Sequence, residues 1–345
     1  MPSFWLIKTC TVSETDFIAS TWFQVDEPLR PSMADTRRPP HDRGHLLWSA
    51  EDGPTRMLQG SFDRWVGAVL ADDGIDMPFM GGNDAVEATI VARADGIVVG
   101  TAAIDHMLQI WAPSLKISWQ ASDGKRVVKD DEIASLSGDR ETLLAMERSI
   151  LNVLGQLSGI ATEAKRWSAI APGQIACTRK TIWGLMDKWA VHLGGGLTHR
   201  LQKNDALMIK ENDLASMLQD VDGHSNRIAQ FLQEVDVTTS GAFLEIEVRE
   251  NKEAVIAAAV WAQRREEGVK KLVVMLDNFG PERCQEVAAE LVEMGLREHV
   301  VLEASGGIEF EHLEQWHECG LDVLSTSAIN RGVPPLDVSM LITGA

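Results

Sequence analysis

Tyrosine is absent from the 345 residues, so no phenol is available as an acid, base or nucleophile. Cysteine is scarce. Cys10, Cys177, Cys284 and Cys319 form no C-x-x-C pair and no dense framework, which points to free thiols in a reducing compartment. Long apolar runs are missing as well. The longest, AVIAAAVWA at 254–262, falls far short of the roughly 20 residues that cross a bilayer. The first residues, MPSFWLIKTCTVSE, lack a basic segment followed by a long apolar one, so no signal peptide is expected and the chain is expected in the cytoplasm. Positive charge is in deficit: 32 Lys and Arg stand against 51 Asp and Glu, a formal net charge of −19. Phosphate surfaces repel such a chain, which excludes nucleic acid and anionic membranes as main partners but not a small anion in a locally basic pocket.

What is present is the composition of a globular protein, 45% apolar and 24% charged, long enough for one large domain or two ordinary ones. Periodicity is weak over 1–55, where TRRPPHDR at 36–43 reads as an exposed loop or linker. A helical rhythm starts near Arg56 with Met57, Phe62, Trp65, Val66, Val69 and Leu70. Residues 85–138 form short alternating runs, the pattern of a small, mostly antiparallel sheet with a helix near 101–111. A long helix is predicted over 141–167. Gly155 and Gly159 either weaken it or mark a close approach by another backbone or a ligand. Six short apolar strands follow, at 174–177, 206–209, 243–248, 272–276, 300–302 and 322–324, with helical stretches at 183–193, 226–235, 252–265, 282–294 and 310–319 between them. This alternation implies parallel strands with helices packed outside, in a barrel or half-barrel.

In such barrels the chemistry collects at the C-terminal ends of strands. The ends here are polar: Thr178-Arg179-Lys180-Thr181, Lys210-Glu211-Asn212, Glu245 and Glu247 in FLEIEV, Asp277-Asn278, Glu303 through Gly307, and Ser325-Thr326-Ser327. One charge after a strand is ordinarily a solvated loop residue, but charge at five ends facing one way is harder to dismiss. Between Arg179 and Lys210 six basic residues stand against two acidic ones, with His192 and His199 in the same window. A basic cluster facing a pocket suits a ligand with several carboxylates or phosphates. The competing picture, a solvated helix with scattered lysines, fits Lys188 and Lys203 better than Arg179, Lys180 or Lys210.

Glu247 and Asp277 end neighbouring strands. They either hold Mg²⁺ through oxygen ligands beside bound phosphate or pair with nearby Lys or Arg. Ser305-Gly306-Gly307 precedes a helix expected near Glu309, where free N–H groups can meet phosphate; a plain tight turn is the alternative. Gly194-Gly195-Gly196 reads as a helix end that also delivers His199 and Arg200 to the basic window.

Eight segments in order, ERSILNVLGQLSGIAT (147–162), TRKT (178–181), GGGLTHR (194–200), LMIKEN (207–212), LEIEV (244–248), MLDNF (275–279), LEASGGI (302–308) and VPPLDVSM (333–340), together resemble the quinolinate phosphoribosyltransferase family, also called nicotinate-nucleotide pyrophosphorylase (carboxylating). The resemblance runs over about 85–342. It implies an N-terminal α/β sandwich domain at 56–150, joined by the tail 333–345, an incomplete six-stranded parallel α/β barrel as the catalytic domain at 151–332, and an extension over 1–55. It implies a homodimer in which Arg148 reaches into the partner's site. The implied substrates are quinolinate and 5-phosphoribosyl 1-diphosphate, with Mg²⁺ as cofactor and nicotinate mononucleotide, diphosphate and CO₂ as products. Arg148, Arg179, His199, Arg200 and Lys210 would bind the acid, and Lys180 would line the site as a catalytic residue. Glu247 and Asp277 would face the ribose and its metal, and Ser305, Gly306 and Gly307 the 5-phosphate.

Some positions depart from the family's usual pattern. Asp213 replaces a His, Ser327 a Gly, and Arg331 an uncharged residue or His, while GIDMPFMGGNDAVEA stands in place of a G-D-x-T element. A paralogue acting on another aromatic acid, or a non-catalytic sensor on the same scaffold, are the alternatives. Intact Glu247 and Asp277 speak against the sensor, and the full cation set against a monocarboxylate substrate.

Overall fold

A computed structural model of the chain describes residues 38–343, apart from 83 and 265–269. Most of the extension, and Cys10 with it, therefore lies outside the described residues. In chain order, a short hairpin, β1 (Trp48–Ser49) and β2 (Gly53–Pro54), leads into α1 (Arg56–Asp72). Then come β3 (Ala85–Ala92), β4 (Gly96–Ile97), α2 (Thr101–Trp111), β5 (Lys116–Trp119), β6 (Arg126–Val127) and β7 (Glu132–Asp139). Helix α3 (Arg140–Ile170) connects to the alternating half of the chain. That half contains β8 (Ile175–Cys177), α4 (Leu185–Leu193), β9 (Leu207–Ile209), α5 (Glu211–Met217), α6 (His224–Glu234), β10 (Leu244–Val248), α7 (Asn251–Gln263), β11 (Leu272–Asp277), α8 (Pro281–Glu293), β12 (Val300–Ser305), α9 (Leu313–His317), β13 (Val323–Thr326) and finally β14 (Val338–Thr343).

The N-terminal sheet is antiparallel, in the order β14-β3-β7-β5, so the last strand of the chain pairs with the first long one. In β3 every second residue from Val86 to Ala92 is buried, the alternation expected of a sheet with one wet face. The second sheet is wholly parallel, in the order β8-β13-β12-β11-β10-β9, and opens between β8 and β9. This is the incomplete barrel expected from the strand–helix alternation.

Helix α3 ties the two sheets together. Asp139 caps it by accepting the Thr142 amide at 2.9 Å, and at about 1.5 Å per residue its 31 residues run about 46 Å. The two glycines inside it have a structural reason. A Cβ on Gly159 would sit 2.3 Å from the Pro334 carbonyl oxygen, and one on Gly155 3.0 Å from that of Leu336. The Leu336 amide donates to the Gly155 carbonyl at 2.9 Å. The close approach is therefore by the backbone of the tail that feeds β14.

Two expectations need correction. The 36–43 loop is not solvent-exposed along its length: His41 is fully buried. The stretch 310–319 is a 3₁₀ turn (Phe310–His312) running into the five-residue α9 rather than one helix. Among the described residues no helix is long and apolar enough to cross a membrane. Cys177, Cys284 and Cys319 are buried and unbridged.

Candidate active site

Register sorts the inward side chains of the half-barrel into rows. The lowest holds Glu245, Val273 and Val301. The next holds Glu247, Met275, Glu303 and Val323. The uppermost holds Asp277, Ser305, Ser325 and Ala176. Alternation on each strand makes this unavoidable: residues two apart share a face, so LEIEV must send both glutamates inward if either goes.

At the rim, Arg179 and Lys180 are exposed after β8. The backbone of Lys180 is pinned, its amide to Thr178 Oγ1 at 3.2 Å and its carbonyl by Asn330 Nδ2 at 3.0 Å. Arg200 is half-buried. Its guanidinium donates to the carbonyls of Lys203 (3.2 Å) and Ala206 (3.3 Å) and touches Met208 Sδ at 3.2 Å. Burial lowers its pKa, Glu245 opposes that, and the nearby Arg179 charge adds to it. Arg179 and Arg200 thus share one neighbourhood with the inner glutamates.

Lys210 is the N-cap residue of α5, and its ammonium contacts Glu247 Oε2. Glu247 is buried, and Arg249 Nη2 lies 3.7 Å from its other oxygen. Of the two sequence readings for this carboxylate, pairing with cations is the arrangement seen. Asp213 accepts the Lys210 amide at 2.9 Å. The residue that departs from the family pattern therefore fixes the backbone carrying a site lysine. Asp277, half-buried, accepts from Asn278 Nδ2 at 3.0 Å. Gly306 (φ 94°) and Gly307 (φ 68°) hold left-handed turns, and a Cβ on Gly306 would meet Asn278 Oδ1 at 2.2 Å. This turn borders a hollow of about 360 Å³ lined by Asn278, Phe279, Gly306, Gly307, His312 and Trp316. Arg148 is exposed on α3, away from these strand ends in sequence.

Beneath the rim lies a buried polar knot. His199 has φ 53°, unusual for a residue with a side chain. Its Nδ1 accepts the Arg200 amide at 2.7 Å and its Nε2 is 3.2 Å from Glu303 Oε1. His41 Nε2 meets the other Glu303 oxygen at 2.7 Å. Burial alone would raise the Glu303 pKa, yet the two imidazoles hold it below the ordinary carboxylate range. Burial pulls His199 down to about 4, against the opposing pull of Glu303. Glu245 goes the other way, pushed well above its usual range by burial and by the Glu303 charge. Neither of its oxygens has a hydrogen-bond partner among the described residues.

Donor atoms of His41, His199, Glu245 and Glu303 all lie within 4.8 Å of one another, a spacing a metal ion could use. The His199 tautomer speaks against it. Because Nδ1 accepts a backbone N–H, Nε2 keeps its proton and donates to Glu303, so it has no lone pair for a metal. The knot is a hydrogen-bonded one.

Sequence reasoning placed Lys188 on a solvated helix face. It is buried instead, donating to the carbonyls of Thr198 (2.6 Å) and Thr178 (3.2 Å). It also missed His41, Arg43 and Asp205. For Glu245 and Glu303 a signal existed, since a charged residue inside an apolar strand must have a buried partner or lose its charge. For His41 none existed, because a Pro-rich charged loop reads as solvent-exposed.

Residues 76–158 match the family described as quinolinate phosphoribosyl transferase, N-terminal domain, and residues 160–341 its C-terminal domain. The probable nicotinate-nucleotide pyrophosphorylase (carboxylating) of Methanothermobacter thermautotrophicus is 35% identical over 266 residues, 75% of this chain and 89% of that one. That of Bacillus subtilis is 32% identical over 269 residues, 76% and 85%. The structure of the nicotinate-nucleotide pyrophosphorylase from Francisella tularensis superposes with a TM-score of 0.68 at 26% identity, covering 83% of this chain and 97% of that one.

Proposed function

The chain belongs to the quinolinate phosphoribosyltransferase family, and from that premise we propose that it transfers phosphoribose from 5-phosphoribosyl 1-diphosphate to quinolinate. CO₂ is lost, and nicotinate mononucleotide and diphosphate form, a step of NAD biosynthesis. The observation that carries this reading is the presence at the strand ends of one barrel of the cations Arg179, Lys180, Arg200 and Lys210 together with the inward carboxylates Glu247 and Asp277, Lys210 being paired with Glu247.

The cations receive the two carboxylates of the acid. Arg179 and Lys180 are open to solvent and can engage an anion without first paying a large desolvation cost. The pyridine nitrogen then faces the anomeric carbon. As diphosphate departs, positive charge grows on the ribose ring, as in glycosyl transfer generally. Fixed carboxylates beside the ring stabilise that charge. After transfer, the quaternised ring nitrogen stabilises the carbanion left when CO₂ leaves the neighbouring carbon, and that carbon then takes a proton from solvent. Gly306 and Gly307 border the hollow, and with Ser305 they form the kind of turn whose backbone N–H groups suit the 5-phosphate.

Mg²⁺ is commonly held by one or two carboxylates with water and substrate phosphates completing its shell. Half-buried Asp277 beside the hollow fits that role, and Glu247 fits it once Lys210 turns to the acid. Bound there, Mg²⁺ would neutralise charge on the leaving diphosphate. The working unit of this proposal is a homodimer in which exposed Arg148 completes the partner's acid site.

The test is direct. Purified chain with Mg²⁺ and both substrates is expected to form nicotinate mononucleotide and release CO₂, and Lys180→Ala to abolish this while remaining folded. Turnover of nicotinate but not quinolinate would instead favour a paralogue acting on a monocarboxylate.

A further inference from the structure

The matched part of the chain begins at residue 76, yet a segment ahead of it is wired into the barrel. Most of its polar contacts fall on one loop, residues 198–205, which runs from the edge of β8, where Leu197 pairs with Ala176, to the start of β9 and carries His199 and Arg200. At the loop's start, the Arg43 amide donates to Thr198 Oγ1 at 3.1 Å, and the Thr198 hydroxyl lies 3.3 Å from the His41 carbonyl. At its end, the Arg43 guanidinium grips both oxygens of Asp205, at 3.2 and 2.8 Å. Asp205 in turn accepts the Leu201 amide at 2.9 Å. In the interior, the His41 ring packs edge-on to His199 and tilted on Phe243, each at 4.7 Å between centroids. It also holds the Glu303 oxygen opposite the one that takes His199.

We infer that His41 and Arg43 are positioning residues for acid binding: the segment 41–43 clamps the 198–205 loop at both ends and fixes the ring of His199, and through it the backbone of Arg200. This rests on the phosphoribosyl-transfer reading, which puts Arg200 at the acid site and names the acid. The physical need is clear. The loop bridges a gap where no strand pairs it on both sides, and His199 sits at a positive φ that is strained unless its surroundings hold it. His199 takes the Arg200 amide on one nitrogen and Glu303 on the other. A loose Glu303 therefore frees the ring, and a free ring frees the Arg200 backbone.

The experiment uses the full chain with His41→Gln, Arg43→Ala and Arg43→Lys. Three quantities are read: the dissociation constant of quinolinate alone by calorimetry, steady-state KM for each substrate, and hydrogen exchange of the 198–205 amides. Expected are a rise of about tenfold or more in the acid's Kd and KM for His41→Gln and Arg43→Ala, with KM for 5-phosphoribosyl 1-diphosphate within about twofold. Faster exchange confined to 198–205 should accompany it, and Arg43→Lys should recover part of the loss. Unchanged acid binding and unchanged loop exchange in both variants would overturn the inference. So would equal changes in both KM values, which would mark a merely structural role. If the unmodified chain neither binds nor turns over quinolinate, the functional reading fails by itself. The clamp is then judged by loop exchange alone, and it stands only if Arg43→Ala loosens 198–205 and Arg43→Lys restores it.

Discussion

Glu245 and Glu303 are both fully buried in the half-barrel, yet their surroundings demand opposite charge states. Glu303 accepts from two imidazole Nε2 groups, at 2.7 and 3.2 Å, whereas Glu245 has no hydrogen-bond partner among the described residues. A hydrogen bond to a charged acceptor is worth about 1.5–3 kcal/mol. Glu303→Gln keeps one acceptor oxygen but loses the charge and offers an N–H where a second acceptor is needed. It should cost about 3 kcal/mol at neutral pH. Glu245→Gln replaces one neutral polar group by another and should change stability by no more than about 1 kcal/mol. The pH dependence sharpens the contrast. Glu245 is raised above its ordinary value of 4.5, so the native chain keeps a proton that the unfolded chain releases. Stability therefore falls as pH climbs from that value through the folded one, and Glu245→Gln should remove this slope. Urea unfolding of the three proteins across pH 5 to 9 measures both effects. Equal losses for the two glutamines, or an unaltered slope in Glu245→Gln, would refute the assignment of opposite charge states.

Four other outcomes follow from the same geometry. Gly159→Ala gains about 1 kcal/mol of helix propensity, but its Cβ would lie 2.3 Å from the Pro334 oxygen, and overpacking of about 1–3 kcal/mol should win; a raised unfolding midpoint would contradict this. His199, held at about 4 against an ordinary 6.5, stays neutral in the native chain while the unfolded chain takes a proton. Stability should thus fall on acidification by about 2 kcal/mol between pH 6.5 and 5, and His199→Asn should flatten that limb in the same urea series. Glu247→Gln releases Lys210 for the acid, so quinolinate should bind as well or better by calorimetry while kcat falls about 100-fold; a joint loss of binding would oppose it. For the proposed homodimer, mixing Arg148→Ala with Lys180→Ala should restore about a quarter of the parental activity, because half the dimers would be mixed and one of their two sites whole. No recovery under proven subunit exchange would count against a shared site.

The barrel was legible because its strands are short apolar runs, each but the last followed by a helical stretch. Each strand was expected to within about three residues at either end. The rim was legible because a strand end that should hold turn residues held Arg179-Lys180 or Lys210 instead. What was not legible depended on contacts between distant residues. Lys188 looks like any helix lysine until α4 is laid against β8, when its ammonium falls among the backbone carbonyls of Cys177, Thr178 and Thr198. His41 is 262 residues from Glu303, and neither periodicity nor composition couples them. Asp213 read as a departure from a family pattern, and its reason lies in one backbone amide, that of Lys210.

The vertical order of charge in the barrel explains how a chain of net charge −19 can admit a polyanion. Cations occupy the exposed rim, where long side chains stay hydrated and reach outward at little desolvation cost. Glutamates occupy the two lower rows, where each has a local answer to burial. Glu303 is answered by two imidazoles, Glu247 by Lys210 and Arg249, and Glu245 by giving up its charge. Inverting that order would leave buried lysines beneath exposed acids, and an incoming dicarboxylate would meet repulsion first. The glutamates do not oppose anion binding, because the one nearest the rim is already paired with Lys210. Glu247 holds Lys210 in place from behind, and it stands where positive charge would appear if a sugar ring were placed above it.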